Sequence, residues 1–176
     1  MSTAASPQLY YIPHDDFVAD TQAVAHAVAR GDWMPDFVVG IGRGGLVPAV
    51  FLSHALKVHM LSIDHSSKVP GFADELLGKV AAKSADGVRL LFVDDINDSG
   101  GTIADIRRLL AEAGCDTGNV RFAVLLDNVR SRVRVDYHAK TIDRAEDKRW
   151  FVFPWEAVGM SETIVEEALS VPHRLA

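Results

Sequence analysis

Apolar residues fall along this chain in short, largely unbroken runs at 37–41, 58–63, 88–93 and 120–126. Runs without strict alternation predict central parallel strands that are covered on both faces. Helical spacing lies between them. Phe17, Thr21, Val24 and Val28 share one face of a helix predicted over 15–30, with Gly31 as its stop. A second helix is expected over 46–56, where Pro48 is tolerated as a first-turn residue. Ile103, Ile106, Leu109, Leu110 and Ala113 mark another. The segment 64–87 is polar and broken by Pro70, Gly71 and Gly78, so it reads as a long mobile connection with a helix over 73–83. Partly exposed strands at 132–137 and 150–153 and a closing helix at 160–169 complete the pattern. Alternating strands and helices predict an α/β fold with a central, mostly parallel sheet flanked by helices.

Composition narrows the class. A chain of 176 residues fits one domain and buries roughly 70% of its unfolded surface without disulfide or metal staples. Its longest apolar runs are far too short to span a bilayer, and its first residues lack the charged start and apolar centre of a secretory signal. They are expected to form a frayed tail. Cys115 is the only cysteine, which excludes an internal disulfide and fits a cytoplasmic setting. A formal net charge of −6 opposes a broad nucleic-acid footprint. The seven histidines show neither HExxH spacing nor a Cys/His cluster, so they are expected at the surface or in packing.

The chemistry concentrates at 88–102. There a buried strand leads to Asp94 and Asp95, and then to Asp98, Ser99, Gly100, Gly101 and Thr102 just before a helix. A hydroxyl- and glycine-rich loop at a helix N-terminus cradles an anion. Carboxylates do not bind phosphate, so they imply hydroxyls, a cation or a proton in transit beside it. Together they point to a sugar phosphate with a divalent metal. A plain capped turn accounts for the glycines and one acidic residue, but not for three carboxylates around one loop.

A second glycine-rich loop, Gly40-Ile41-Gly42-Arg43-Gly44-Gly45, follows the first strand and formally matches GxGxxG, with Asp64 placed where a dinucleotide site wants an acidic ribose ligand. Against a dinucleotide stand the bulky Arg43 inside the turn and the 94–102 constellation, which such a site does not need. A third stretch, Trp150-Phe151-Val152-Phe153-Pro154-Trp155-Glu156, is dense in aromatics. Phe153 and Trp155 read as core, whereas an edge-placed Trp150 can stack on a flat heterocycle.

These three stretches, in this order over 37–156, resemble the type I phosphoribosyltransferases, and within them the xanthine-guanine and hypoxanthine (6-oxopurine) enzymes. The resemblance implies a core at about 32–128 and a small hood at about 129–160 with an N-terminal contribution. It implies transfer of ribose 5-phosphate from phosphoribosyl pyrophosphate to a 6-oxopurine in purine salvage, with Mg²⁺ as cofactor. Asp94 and Asp95 would hold the ribose hydroxyls, and Asp98 to Thr102 would wrap the 5′-phosphate, with Asp98 also as general acid/base toward the purine. Gly42, Arg43, Gly44 and Lys68 would meet the pyrophosphate, the first two across a non-proline cis peptide. Trp150 and Phe151 would take the base, and Glu156 would join Asp94 and Asp95 around the metal. Closure of 64–87 would exclude water. A homodimer or higher homo-oligomer is implied as well.

One position departs from the pattern. The lysine that 6-oxopurine enzymes place after the fourth core strand is absent, and Leu126-Asp127-Asn128-Val129 stands there. Asn128 is thus expected at the base, where an amide both donates and accepts and discriminates less sharply than an ammonium. The alternatives are a transferase for another base, or a regulatory protein that keeps the ligand loops. The alternation of Arg130, Arg132 and Arg134 on one possible strand would give the latter a small basic patch.

Overall fold

Alternate residues of the apolar runs go to opposite faces of one parallel sheet, which is why the runs read as continuous. The computed structural model describes residues 6–64 and 72–170. In chain order its elements are β1 (Leu9–Tyr11), α1 (His14–Ala29), β2 (Phe37–Ile41), α2 (Gly42–Leu56), β3 (His59–Ile63), α3 (Phe72–Ala85), β4 (Leu90–Asn97), α4 (Gly101–Glu112), β5 (Val120–Asn128), β6 (Tyr137–Ile142), β7 (Trp150–Val152) and α5 (Ser161–Leu169). Five strands form a sheet in the order β3-β2-β4-β5-β6, and each neighbouring pair is parallel. The α/β architecture with helices on both faces is the one the periodicity predicts.

On one face Val38, Leu91, Val93, Ala123 and Leu125 pack with Phe17, Val24 and Val28 of α1 and Leu52 of α2. On the other, Val39, Leu90, Phe92, Phe122 and Val124 meet Leu77 and Ala81 of α3 and Ile103 and Ile106 of α4. Burial of a large aliphatic or aromatic side chain is worth about 1.5 to 3 kcal/mol, so these two layers fix the sheet and place its carboxyl edge. A separate two-stranded sheet pairs β1 with β7, with Leu9 opposite Trp150 and Tyr10 opposite Phe151. Among the described residues no helix is long and apolar enough to cross a membrane.

Three local expectations change. Helix α2 begins at Gly42 rather than Leu46, because the glycine loop itself adopts helical geometry. Pro48 therefore lies inside the helix and removes one of its hydrogen bonds, that to the Gly44 carbonyl. The strand expected over 132–137 starts only at Tyr137. Residues before it alternate in burial, but no strand ladder forms, because side chains take part in the bonding beside the Arg132 and Asp136 N–H groups that donate to the Ser99 and Phe122 carbonyls. Asn97 Nδ2 donates to the Val133 carbonyl (2.8 Å), and the Phe122 N–H donates to the Asp136 carboxylate (2.8 Å). The basic row on that strand is dissolved with it, since Arg130, Arg132 and Arg134 belong to this connection. Finally, β4 runs on past Val93 to Asn97, so the acidic pair is inside a strand.

Candidate active site

β2 pairs with β4 only as far as Gly40 opposite Val93, whereas β5 accompanies β4 to Asn97. Asp94 and Asp95 are therefore backed by β5 while the β2 side opens beside them. Each carboxylate is held locally. Asp94 Oδ1 accepts the Asp95 N–H (3.1 Å), and Asp95 Oδ1 accepts the Ile96 N–H (2.7 Å). Beyond them Gly100 turns the chain at φ 83 into α4, and Ser99 Oγ accepts the Gly101 N–H (3.3 Å). The first turn of α4 holds no acidic residue, so the field of its amide end favours negative charge. Arg132 reaches this loop from the other side. Its Nη2 lies 3.5 Å from where a Cβ on Gly101 would stand.

The N-terminus of α2 faces the same space. Gly42 takes φ 52, and all described peptide bonds are trans. The cis bond implied between Gly42 and Arg43 is absent, since the left-handed glycine makes the turn without it. Arg43 extends outward, with Nη2 4.0 Å from Glu167 of α5. Gly42, Arg43, Gly44, Asp94, Asp95 and Thr102 line an open cleft of about 620 Å³. Lys68 lies outside the described residues, as do 65–71 of the segment expected to close.

A smaller cavity of about 110 Å³ adjoins it, lined by Asp98, Arg144, Trp150, Phe151 and Phe153 together with Asp95, Ile96 and Glu156. Asp95, Ile96 and Glu156 line both spaces. Trp150 stands half-buried at the start of β7, and Phe151 is buried behind it. Asp98 is buried and bound by Arg144, whose Nε donates to Oδ1 (3.1 Å) and Oδ2 (3.2 Å) and whose Nη2 donates to Oδ2 (2.9 Å). The other end of the guanidinium, Nη1, donates to the carbonyls of Arg149 (2.6 Å) and Asp147 (3.3 Å).

Asn128 does not line this cavity. Its Nδ2 donates to the Asp98 carbonyl (2.9 Å), and its Oδ1 accepts the N–H groups of Arg130 (3.1 Å) and Arg144 (3.3 Å). It braces the loop from behind. The residue that stands in the cavity is Arg144, which the motif reading missed. A signal existed, because a buried carboxylate needs a cation and 94–102 contains none. Trp155, expected in the core, stacks on Phe153 at 4.9 Å and also forms a wall of the larger cleft.

Glu156 sits where the two spaces meet. Its Oε2 accepts the Phe153 N–H (2.9 Å). Burial pushes its carboxyl above the ordinary value, with repulsion from Glu167 adding to the rise, while the Phe153 N–H and Arg43 pull the other way. Among the described residues no three His, Cys, Asp or Glu side chains converge to hold a metal by themselves. The donors at the cleft are carboxylate oxygens, which suit magnesium when it is shared between one or two carboxylates and a substrate's phosphates.

Residues 14–158 match the family described as the phosphoribosyl transferase domain. Over 171 residues, 97% of this chain and 98% of the relative, the sequence is 27% identical to the xanthine-guanine phosphoribosyltransferase of Chromohalobacter salexigens. The fold is shared with a hypothetical protein from Neisseria gonorrhoeae solved with bound ppGpp, at a TM-score of 0.68 and 20% identity over 97% of this chain and 98% of that one. It is shared too with the Helicobacter pylori xanthine-guanine-hypoxanthine phosphoribosyltransferase, at 0.63 and 21% over 86% and 95%. With the glycine loop of α2 and the acidic strand end of β4 facing one cleft, this match replaces the dinucleotide reading: the chain belongs to the phosphoribosyl transferase domain family, as a type I enzyme resembling the 6-oxopurine phosphoribosyltransferases.

Proposed function

We propose that the protein transfers the ribose 5-phosphate group of phosphoribosyl pyrophosphate to a 6-oxopurine, giving a nucleoside monophosphate and pyrophosphate. The observation that carries this reading is the shared wall of Asp95, Ile96 and Glu156 between an aromatic cavity and an open cleft that both the glycine loop of α2 and the acidic end of β4 line. Two substrates in such adjoining spaces meet at one reacting carbon, which is what group transfer needs.

In this reading Asp94 and Asp95 accept the ribose hydroxyl protons, and Ser99 to Thr102 with Arg132 hold the 5′-phosphate. Gly42, Arg43 and Gly44 receive the pyrophosphate at the N-terminus of α2. Trp150 stacks on the purine and Phe151 backs it, while Asp98 accepts the ring proton. One or two of the carboxylates Asp94, Asp95 and Glu156, together with the phosphates of the substrate, would hold Mg²⁺, which when bound neutralises charge on the departing pyrophosphate.

The test is to incubate the protein with phosphoribosyl pyrophosphate and magnesium and, separately, xanthine, guanine, hypoxanthine and adenine, and to quantify nucleotide by chromatography. Nucleotide from a 6-oxopurine is expected. Binding of phosphoribosyl pyrophosphate without product from any base would favour the regulatory alternative.

A further inference from the structure

The Asp98–Arg144 pair offers more than charge balance. Arg144 has five N–H groups. The Nε–H is shared by the two Asp98 oxygens, the two on Nη1 serve the Asp147 and Arg149 carbonyls, and one on Nη2 serves Asp98. The second Nη2 hydrogen has no acceptor among the described residues. The side chains of Arg144 and Asp98 are 10% and 5% exposed, and both line the small cavity with Trp150 and Phe151. The guanidinium is also centred 5.0 Å from the Phe151 ring, so its plane is set by contacts on several sides.

Such a pair presents an acceptor beside a donor, in one fixed plane. A 6-oxopurine protonated at N7 presents N7–H beside the 6-carbonyl, the complementary order. A 6-aminopurine presents two donors and would set its amino hydrogens against the guanidinium. We propose that Arg144 is the specificity-determining residue for the base, donating to the 6-carbonyl while Asp98 takes the N7 proton. This rests on the proposed transfer to a purine. It assigns the oxo-reading donor to a residue from the connection between β6 and β7, in place of Asn128 at the end of β5. A guanidinium only donates, whereas an amide in its place could present either end.

A purely structural Arg144 would tie Asp98 to the 147–149 backbone and read nothing. The two are separated by comparing hypoxanthine with purine, which has the same rings and N7 but no 6-substituent. Equilibrium binding of each base, with phosphoribosyl pyrophosphate and magnesium present, is measured for wild type, Arg144→Lys and Arg144→Met, alongside kcat and KM. Wild type is expected to prefer hypoxanthine by roughly 10- to 100-fold, the worth of a hydrogen bond from a charged donor. Arg144→Met is expected to bring the two bases to near equality, and Arg144→Lys to keep part of the preference. If both bases weaken together so that their ratio stands, the proposal is overturned. Equal affinity of wild type for hypoxanthine and purine overturns it without any variant needing to fold. Selective, Arg144-dependent binding of hypoxanthine with no nucleotide formed would uphold this inference while removing the transfer reaction on which it was framed.

Discussion

The backbone of Gly44 lies so close to the carboxylate of Asp95 that a Cβ there would stand 2.6 Å from Oδ2. The glycine loop of α2 and the acidic end of β4 are therefore fitted to each other. Alanine at this helical position would gain about 1 kcal/mol of helix propensity, but overpacking costs about 1 to 3 kcal/mol. The neighbour is not a free-swinging tip, because Asp95 Oδ1 is already held by the Ile96 N–H. Gly44→Ala is expected to displace the carboxylate and lower kcat/KM for phosphoribosyl pyrophosphate by roughly 10²-fold. Steady-state kinetics of the variant with a saturating base checks it, and an unchanged value would show that Asp95 moves aside freely.

This contact was not legible in the sequence, though both partners were. The strand–acidic pair–hydroxyl loop of 90–102 could be read because each of its parts is a local pattern with a local cause. The layered sheet followed from apolar runs for the same reason. Arg144 escaped notice because it is one charge in the polar stretch Asp143 to Arg149, and only the fold sets it against Asp98. The bonds of Asn128 to the Asp98 loop were not legible because a strand end says where a residue stands but not which way its amide turns. The early start of α2 was hidden by its glycines, which discourage helix by propensity but are needed here for close approach to β4.

Asp98→Asn should lower turnover by about 10² to 10⁴-fold, the usual worth of a positioned acid/base group. Removing its charge also strands a buried guanidinium, and breaking one side of such a pair costs about 3 to 5 kcal/mol. Binding of phosphoribosyl pyrophosphate, measured by calorimetry, is expected to survive because the Ser99–Thr102 amides remain. A variant with wild-type turnover would remove Asp98 from proton transfer.

Arg132 approaches Gly100 and Gly101 from the connection that follows β5. It is exposed, so its removal threatens the fold little. Arg132→Ala is expected to raise KM for phosphoribosyl pyrophosphate by roughly tenfold, the value of one charge-assisted hydrogen bond, with kcat nearly kept. The loss should shrink as salt is raised. A KM that does not move would place the guanidinium away from the 5′-phosphate.

Asn128→Ala removes three hydrogen bonds that join Asp98, Arg130 and Arg144. Leaving those buried groups without partners is expected to cost about 1 to 3 kcal/mol, read as a lowered melting temperature. Activity should fall alike for hypoxanthine and purine, since the amide supports the loop and does not line the base cavity. A selective loss of hypoxanthine would instead return Asn128 to the base.

Glu156→Gln gives the clearest pH dependence. The unfolded carboxyl titrates near its ordinary value of 4.5, and burial raises the folded one above it. Between those two values the folded protein keeps a proton that the unfolded chain has released. The resulting stabilisation is fully present below about pH 4.5 and is lost as pH rises through the folded value. Glutamine still accepts from the Phe153 N–H but cannot ionise, so it avoids the cost of a buried charge at high pH. In metal-free buffer the variant should therefore melt above wild type at neutral and alkaline pH, and the gap should close as the pH falls toward 4.5. A gap of the same size at every pH would mean that Glu156 titrates alike in the folded and unfolded chain. A gap of the opposite sign would mean that the folded site favours its ionised form.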